Sequence, residues 1–138
     1  MKPLAFVACL ATLTLCAQSA QAAESAAAEG TARYFLLEPT FVANFGHAAN
    51  GRLQYLKADV TLRISTDEAE AALKHHSPYL RNSLVLLFSR QDDYAVVSPE
   101  GREQLRRDAL EAVRAILVQE EGKPYVEDLV FSNFVVQR

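Results

Sequence analysis

The stretch Leu56-Lys57-Ala58-Asp59-Val60-Thr61-Leu62-Arg63-Ile64 alternates apolar and polar side chains without exception. Successive side chains of an extended strand point to opposite faces, so this pattern specifies a strand with one buried and one wet face. A sheet that is wet on one side is antiparallel or mixed, because all-parallel sheets are covered on both faces. The remaining chain must supply strands to flank this one and helices to cover its apolar side.

Tyr34-Phe35-Leu36-Leu37 and Phe41-Val42-Ala43-Asn44-Phe45 are β-type runs separated by Glu38-Pro39-Thr40. Pro39 has no N–H to give to a ladder, which makes this an edge strand or a strand broken at that point. Asn50-Gly51, within 46–51, marks a turn. Ser65 and Glu68 have the spacing of a capping box, and Ala69, Ala72, Leu73 and His76 follow at helical intervals. This pattern predicts a helix that stops before Pro78. A second helix is expected from Ser77-Pro78 to about Gln91, with Leu80, Leu84, Leu87 and Phe88 on one stripe and a bend between the two. Ser98-Pro99 opens a further helix whose core face is Leu105, Ala109, Ala112, Val113, Ile116 and Leu117; Gly122 and Pro124 close it after Glu121. From Val126 to Val136 the apolar residues fall on both faces, which predicts a strand in the middle of its sheet. Together these elements describe an α+β domain, a mixed or antiparallel sheet with helices packed on it.

Residues 1–22 stand outside that domain. Lys2, the apolar run from Leu4 to Ala17 and the small residues of Ala20-Gln21-Ala22 form the three parts of a secretory signal peptide, with cleavage expected between Ala22 and Ala23. The run is shorter than the roughly 20 residues that span a bilayer. An uncleaved anchor in the inner membrane is the alternative. Leu15 before Cys16 does not suit a lipoprotein signal. Cleavage removes both cysteines, so disulfides and thiolate chemistry are not expected of the mature chain. Residues 23–33, made mostly of Ala, Glu, Ser, Gly and Thr, read as a flexible tail, which leaves 34–138 as the folded unit.

Of the 138 residues 50% are hydrophobic and 22% charged, enough to build one ordinary core. The formal charge of −3 and the lack of any basic run remove the electrostatic footprint of a nucleic-acid binder. No phosphate-binding glycine loop, zinc-type spacing or nucleophile motif occurs, and no catalytic residue, cofactor, metal or small-molecule substrate is expected. His75-His76 reads as a solvated helix end, since adjacent side chains on a helix diverge by about 100°; His47 reads as a turn residue. Asp92-Asp93 could be an acid/base pair, but falls in an expected loop where two acids are usually just hydrated. Arg102, Arg106 and Arg107 are candidates for binding an acidic partner. The interleaved Glu103, Asp108 and Glu111 make a mixed, solvated helix face the plainer reading.

Several segments in order carry a resemblance to a known family. They are Glu38-Pro39 with Val42-Ala43-Asn44-Phe45; the strand Tyr55 to Leu62; Leu80-Arg81-Asn82-Ser83-Leu84 leading to Leu87-Phe88-Ser89; Ser98-Pro99-Glu100-Gly101-Arg102-Glu103-Gln104-Leu105; and the ending Val130 to Gln137. From Tyr34 to Arg138 the chain resembles the periplasmic domain of the FliL family, proteins associated with the flagellar basal body. The resemblance implies a stomatin-type (SPFH-like) α+β domain without enzymatic activity. It also implies association with the stator units and the basal body, effects on motility and chemotaxis, and weak self-association or rings. The usual spanning helix of the family is here replaced by the expected signal peptide. The other function compatible with this reading is a soluble periplasmic scaffold or binding module for an envelope complex unrelated to motility.

The export reading makes a direct prediction: the intact mass of the protein recovered from the periplasm corresponds to a chain beginning at Ala23. A full-length species in the inner membrane would establish the anchored alternative.

Overall fold

The structure, a computed structural model, describes residues 31–46 and 54–138. In chain order the elements are β1 (Arg33–Leu36), β2 (Phe41–Phe45), β3 (Gln54–Ile64), α1 (Asp67–Ser89), α2 (Asp93–Val97), α3 (Pro99–Glu121) and β4 (Asp128–Gln137). His47, most of the 46–51 turn, the signal segment with its Ala22/Ala23 junction and the tail to residue 30 lie outside the described residues; Arg33, the last residue assigned to the tail, already begins β1.

β3 is the alternating strand, and every other strand pairs with it. β1 lies antiparallel to its C-terminal half, with Phe35 opposite Leu62, and β2 antiparallel to its N-terminal half, with Ala43 opposite Leu56. β4 runs antiparallel along Tyr55 to Arg63. Because β4 occupies one edge of β3 over that length, β1 and β2 must follow one another along the other edge. The expected interruption at Pro39 is thus the gap between them. Arg81 of α1 reaches into this gap, donating to the carbonyls of Leu37 and Pro39 at 3.1 and 2.5 Å. Its guanidinium also lies 4.2 Å from the centroid of the Phe41 ring.

The expectation that the final strand is central is corrected: β3 holds that position and β4 is an edge strand in which only Leu129 is fully buried. The apparent two-faced hydrophobicity comes from a β-bulge. Lys57 faces Val135 whereas Asp59 faces Ser132, so Asn133 and Phe134 together oppose Ala58, and Asn133 takes a left-handed conformation with φ 53°. Alternation therefore changes phase at Asn133. Leu129, Phe131, Phe134 and Val136 turn toward the helices, while Val130, Ser132 and Val135 turn outward.

Two helix expectations are also corrected. α1 runs unbroken through Pro78. The stripe Ala69, Leu73, Leu80, Leu84 and Phe88 stays in phase across the proline, and its burial offsets the roughly 3 kcal/mol that a helical proline costs. Pro78 lies on the exposed side, where water can reach the carbonyl that lacks a donor. The N-cap is Thr66, whose hydroxyl accepts from the N–H of Ala69 at 3.1 Å, in place of Ser65. Glu68, freed from a capping box, accepts instead from Tyr125 at 2.8 Å and pairs with Lys123 at 3.2 Å. For α3 the expected start and stop are found: Ser98 accepts from the N–H of Gly101 at 2.9 Å, and Gly122 ends the helix at φ 76°. Gly101 is also required by packing, since a Cβ there would lie 2.4 Å from the carbonyl oxygen of Tyr94 in α2.

The inner side chains of β3, Leu56, Ala58, Val60, Leu62 and Ile64, are all buried beneath the helices. Phe41, Phe88 and Phe131 continue the core edge-to-face, with centroids 5.6 and 5.8 Å apart. The outer side chains are Tyr55, Lys57, Asp59, Thr61 and Arg63, and none of them is fully buried. Leu62→Ala is expected to cost about 2–5 kcal/mol, as buried leucine truncations do. Arg63→Ala, which loses the half-exposed pair with Glu127 at 3.0 Å, should stay within about 1 kcal/mol. Urea unfolding of both variants checks this, and equal losses would contradict the assignment of faces.

Candidate interaction surface

The three candidate arginines lie on α3, and the structure separates them. Arg106 is only a quarter exposed and is spent internally. Its guanidinium meets Glu103 through two nitrogens, each at 2.8 Å, and also donates to Asp128 at 2.5 Å and to the Leu129 carbonyl at 3.2 Å. It fastens α3 to the start of β4. Arg107 is exposed and shares Glu103 at 3.1 Å. Arg102 is exposed and lies 5.9 Å from the centroid of the Phe134 ring. Between the two guanidinium groups, Glu103 is held at a pKa of about 2, first through its hydrogen bonds from Arg106 and then through Arg107, against partial burial that pushes the other way. The same contacts raise the pKa of Arg106.

The other titratable candidates also have structural duties. His75 and His76 sit within α1, because the helix continues beyond them, and the expectation of a helix end is corrected accordingly. His76, 14% exposed, lies 2.6 Å from a carboxylate oxygen of Glu121 at the end of α3, joining the two long helices. Asp92 caps α2 by accepting from the N–H of Ala95 at 2.8 Å, and Asp93 occupies the first turn. The two acids therefore mark a helix start where a loop was expected. Among the described residues no cluster of three or more His, Cys, Asp or Glu is placed to hold a metal.

What the fold leaves open to contact is the outer face of the sheet and the outward side of α3. Rows across the sheet place Leu36 and Val130 on either side of Thr61, and Val42 and Val135 on either side of Lys57. Val42 is 60% exposed and Val135 48%. Asp59 lies between those rows, and its pKa is lowered by hydrogen bonds from Thr40 and Asn133. On α3 a shallow depression runs between Arg107 and Arg114, floored by Leu110, Glu111, Ala115 and Val118. Arg114 itself donates to the carbonyls of Val126 and Glu127, at 2.8 Å each. Sequence reasoning missed the sheet face because half of its apolar residues are in β4, on the far side of a phase change that period-two counting does not anticipate. The signal that could have revealed it is Ser132-Asn133, a residue pair suited to a left-handed bulge inside an apolar run.

Fold and surface together define the class: a small α+β domain with a one-sided antiparallel sheet and two exposed faces available for contact. Residues 34–137 match the family described as "Flagellar basal body-associated protein FliL", and the chain belongs to that family. It is 31% identical over 98 residues to the flagellar protein FliL of Escherichia coli K12, an alignment covering 71% of this chain and 61% of that protein. With the flagellar protein FliL of Aquifex aeolicus the identity is 27% over 103 residues, covering 75% and 60%. The chain thus spans about three fifths of the length of these relatives. Among the described residues no helix is long and apolar enough to cross a membrane.

The Glu103 geometry carries a pH prediction with a definite sign. A carboxyl whose pKa is lower in the folded protein contributes stability above its ordinary pKa of 4.5, and that contribution is lost as the pH falls through the folded value of about 2. Thermal melting of the wild type and of Glu103→Gln should therefore differ fully at pH 6, with the gap closing between about pH 4.5 and 2. A gap that stays constant down to pH 2 would show that the carboxylate charge contributes nothing.

Proposed function

We propose that the protein is a non-enzymatic accessory of the flagellar motor that associates with the basal body and its stator units in the periplasm and modulates motility. The observation that carries this reading is the family match over 34–137, the whole of the described domain apart from its ends. The segments that bear the resemblance coincide with the joints of the fold: Arg81 in the strand gap, Gly101 beneath α2 and Asn133 in the bulge. These segments bear on architecture, in keeping with a role exercised through surfaces and with a stomatin-like (SPFH-like) fold of the domain. Export by a cleavable signal, with the Ala22/Ala23 junction as the processing site, would deliver the domain to the periplasm without an anchor. Loss of the membrane's two-dimensional confinement lowers the effective concentration of copies, so self-association is weak in solution and reinforced where motor proteins gather the chain.

Deletion of the gene should change swimming speed or the fraction of motile cells, and complementation should restore it. A tagged copy expressed from its own promoter should crosslink to stator proteins. Normal swimming together with the absence of crosslinks to any motor protein would overturn the motor reading and favour an envelope complex unrelated to motility.

A further inference from the structure

β4 has one edge on β3, and its other edge is closed at one end and open along the rest. The carbonyl of Val60 accepts from the N–H of Leu37, and that of Arg63 from the N–H of Glu127. Even-numbered backbone groups of β3 therefore turn toward β1 and β2, and odd-numbered ones toward β4. Lys57, Asp59 and Thr61 face Val135, Ser132 and Val130 in the ladder, so the N–H and C=O groups of Leu129, Phe131 and Val136 point away from β3. At Leu129 both groups are met: its N–H donates to the Asp128 carboxylate at 2.8 Å, and its carbonyl accepts from Arg106 at 3.2 Å. Beyond it, no turn, loop or side-chain hydrogen bond among the described residues reaches the backbone of Phe131 or Val136.

From Leu129 to Gln137 the strand has no charged residue and no proline, two of the devices that blunt a free edge, and its one irregularity is the bulge at Asn133. Phe131, Phe134 and Val136 are only partly buried along it. The charge placed over this stretch is Arg102 of α3, which is exposed, lies over the Phe134 ring and has no ion-pair partner among the described residues.

We infer that the open edge of β4, from Phe131 to Val136, takes up an extended acidic segment of another protein as an added strand, with a carboxylate set against Arg102. Backbone bonds to the free N–H and C=O groups supply the affinity, and the side chains on either face supply the selectivity. Arg102 stands on the helix side of the sheet, so the carboxylate belongs on that face of the added strand. The residues before and after it fall on the outer face, beside the exposed Val130 and Val135, where β-branched side chains fit. A second copy of this chain is the poorer occupant. Two β4 edges paired about a two-fold axis through the bulge would set Arg102 beside its own copy. The edge formed by β1 and β2 offers only runs of four and five residues, interrupted at Pro39 where Arg81 fills the gap. This inference goes beyond the motor reading and holds whichever complex supplies the segment.

Synthetic peptides test it on isotope-labelled protein expressed from the full-length sequence. The probe is acetyl-Thr-Val-Glu-Val-Thr-Val-amide, and its counterpart carries Lys in place of Glu. Titration to about 2 mM should shift the amide resonances of Phe131, Phe134 and Val136, with a dissociation constant on the order of 0.1–1 mM. The lysine peptide should bind about tenfold more weakly, and Arg102→Glu should reverse that preference. The reversal also shows that the variant is folded. N-methylation of the acidic peptide at every second residue removes the N–H groups along one of its edges. One phase of methylation should abolish binding and the other preserve it, because only one edge of an added strand meets β4. Absence of shifts at β4, an unchanged preference in Arg102→Glu, or equal behaviour of the two methylated peptides would each overturn the inference. Shifts of the same resonances with protein concentration alone, without peptide, would overturn it in favour of a second copy on the edge.

Discussion

β3 is hydrogen-bonded along both edges, and the rest of the sheet exists only as its neighbours. Fixing its register fixes which side chains of β1, β2 and β4 turn inward, because directly opposed residues share a face. A slip of one residue would move Leu56, Val60 and Leu62 to solvent and bring Lys57, Asp59 and Arg63 under the helices, where unpaired charge is costly. Burial of that inner row is therefore the constraint to which helix placement, the break at Pro39 and the bulge at Asn133 all conform.

The ladder nonetheless stops in several places, and at those places helix-borne arginines supply the missing donors. Arg81 of α1 serves the carbonyls of Leu37 and Pro39 between β1 and β2, Arg106 of α3 serves the Leu129 carbonyl and the Asp128 carboxylate at the start of β4, and Arg114 of α3 serves the carbonyls of Val126 and Glu127 just before it. A guanidinium carries several N–H groups in a rigid fork, so one side chain can satisfy two acceptors that a strand has abandoned. Two layers are thereby joined by polar contacts at the irregular points and by apolar packing elsewhere. Arg107 and Arg114 rim the depression on the outward side of α3, whose floor mixes Leu110, Ala115 and Val118 with Glu111.

Much of this was legible in the chain. The alternation at 56–64 gave a one-sided sheet, Pro39 the interrupted edge, Ser98-Pro99 and Gly122 the limits of α3. Where reading by local pattern failed, a tertiary contact outweighed a local preference. Pro78 is a stop signal only if the helix has no buried stripe continuing past it, and here Leu80, Leu84 and Phe88 remain in phase with Leu73. Ser65 and Glu68 have the spacing of a cap, yet Glu68 is drawn to Tyr125 and Lys123, remote in sequence. Of the three arginines singled out on α3, Arg106 proved to be a fastener because its partner Asp128 arrives from a strand more than twenty residues away. The apolar sheet face stayed hidden because it is assembled from rows that cross three strands.

The sequence by itself determined the class of fold, the inner face of the central strand and the family, since these depend on local periodicity and on ordered segments that can be read along one dimension. Only the tertiary structure decided which strand is central, which charges are consumed and which remain exposed, and which side chains share the outer face of the sheet. The physical reason is that burial and ion pairing are set by neighbours in space. Arg106, Arg107 and Lys57 are chemically similar cations in the sequence, and only the positions of Asp128, Glu103, Val42 and Val135 around them make the first a structural tie, the second a shared surface charge and the third a charge between two exposed valines with no ion-pair partner among the described residues.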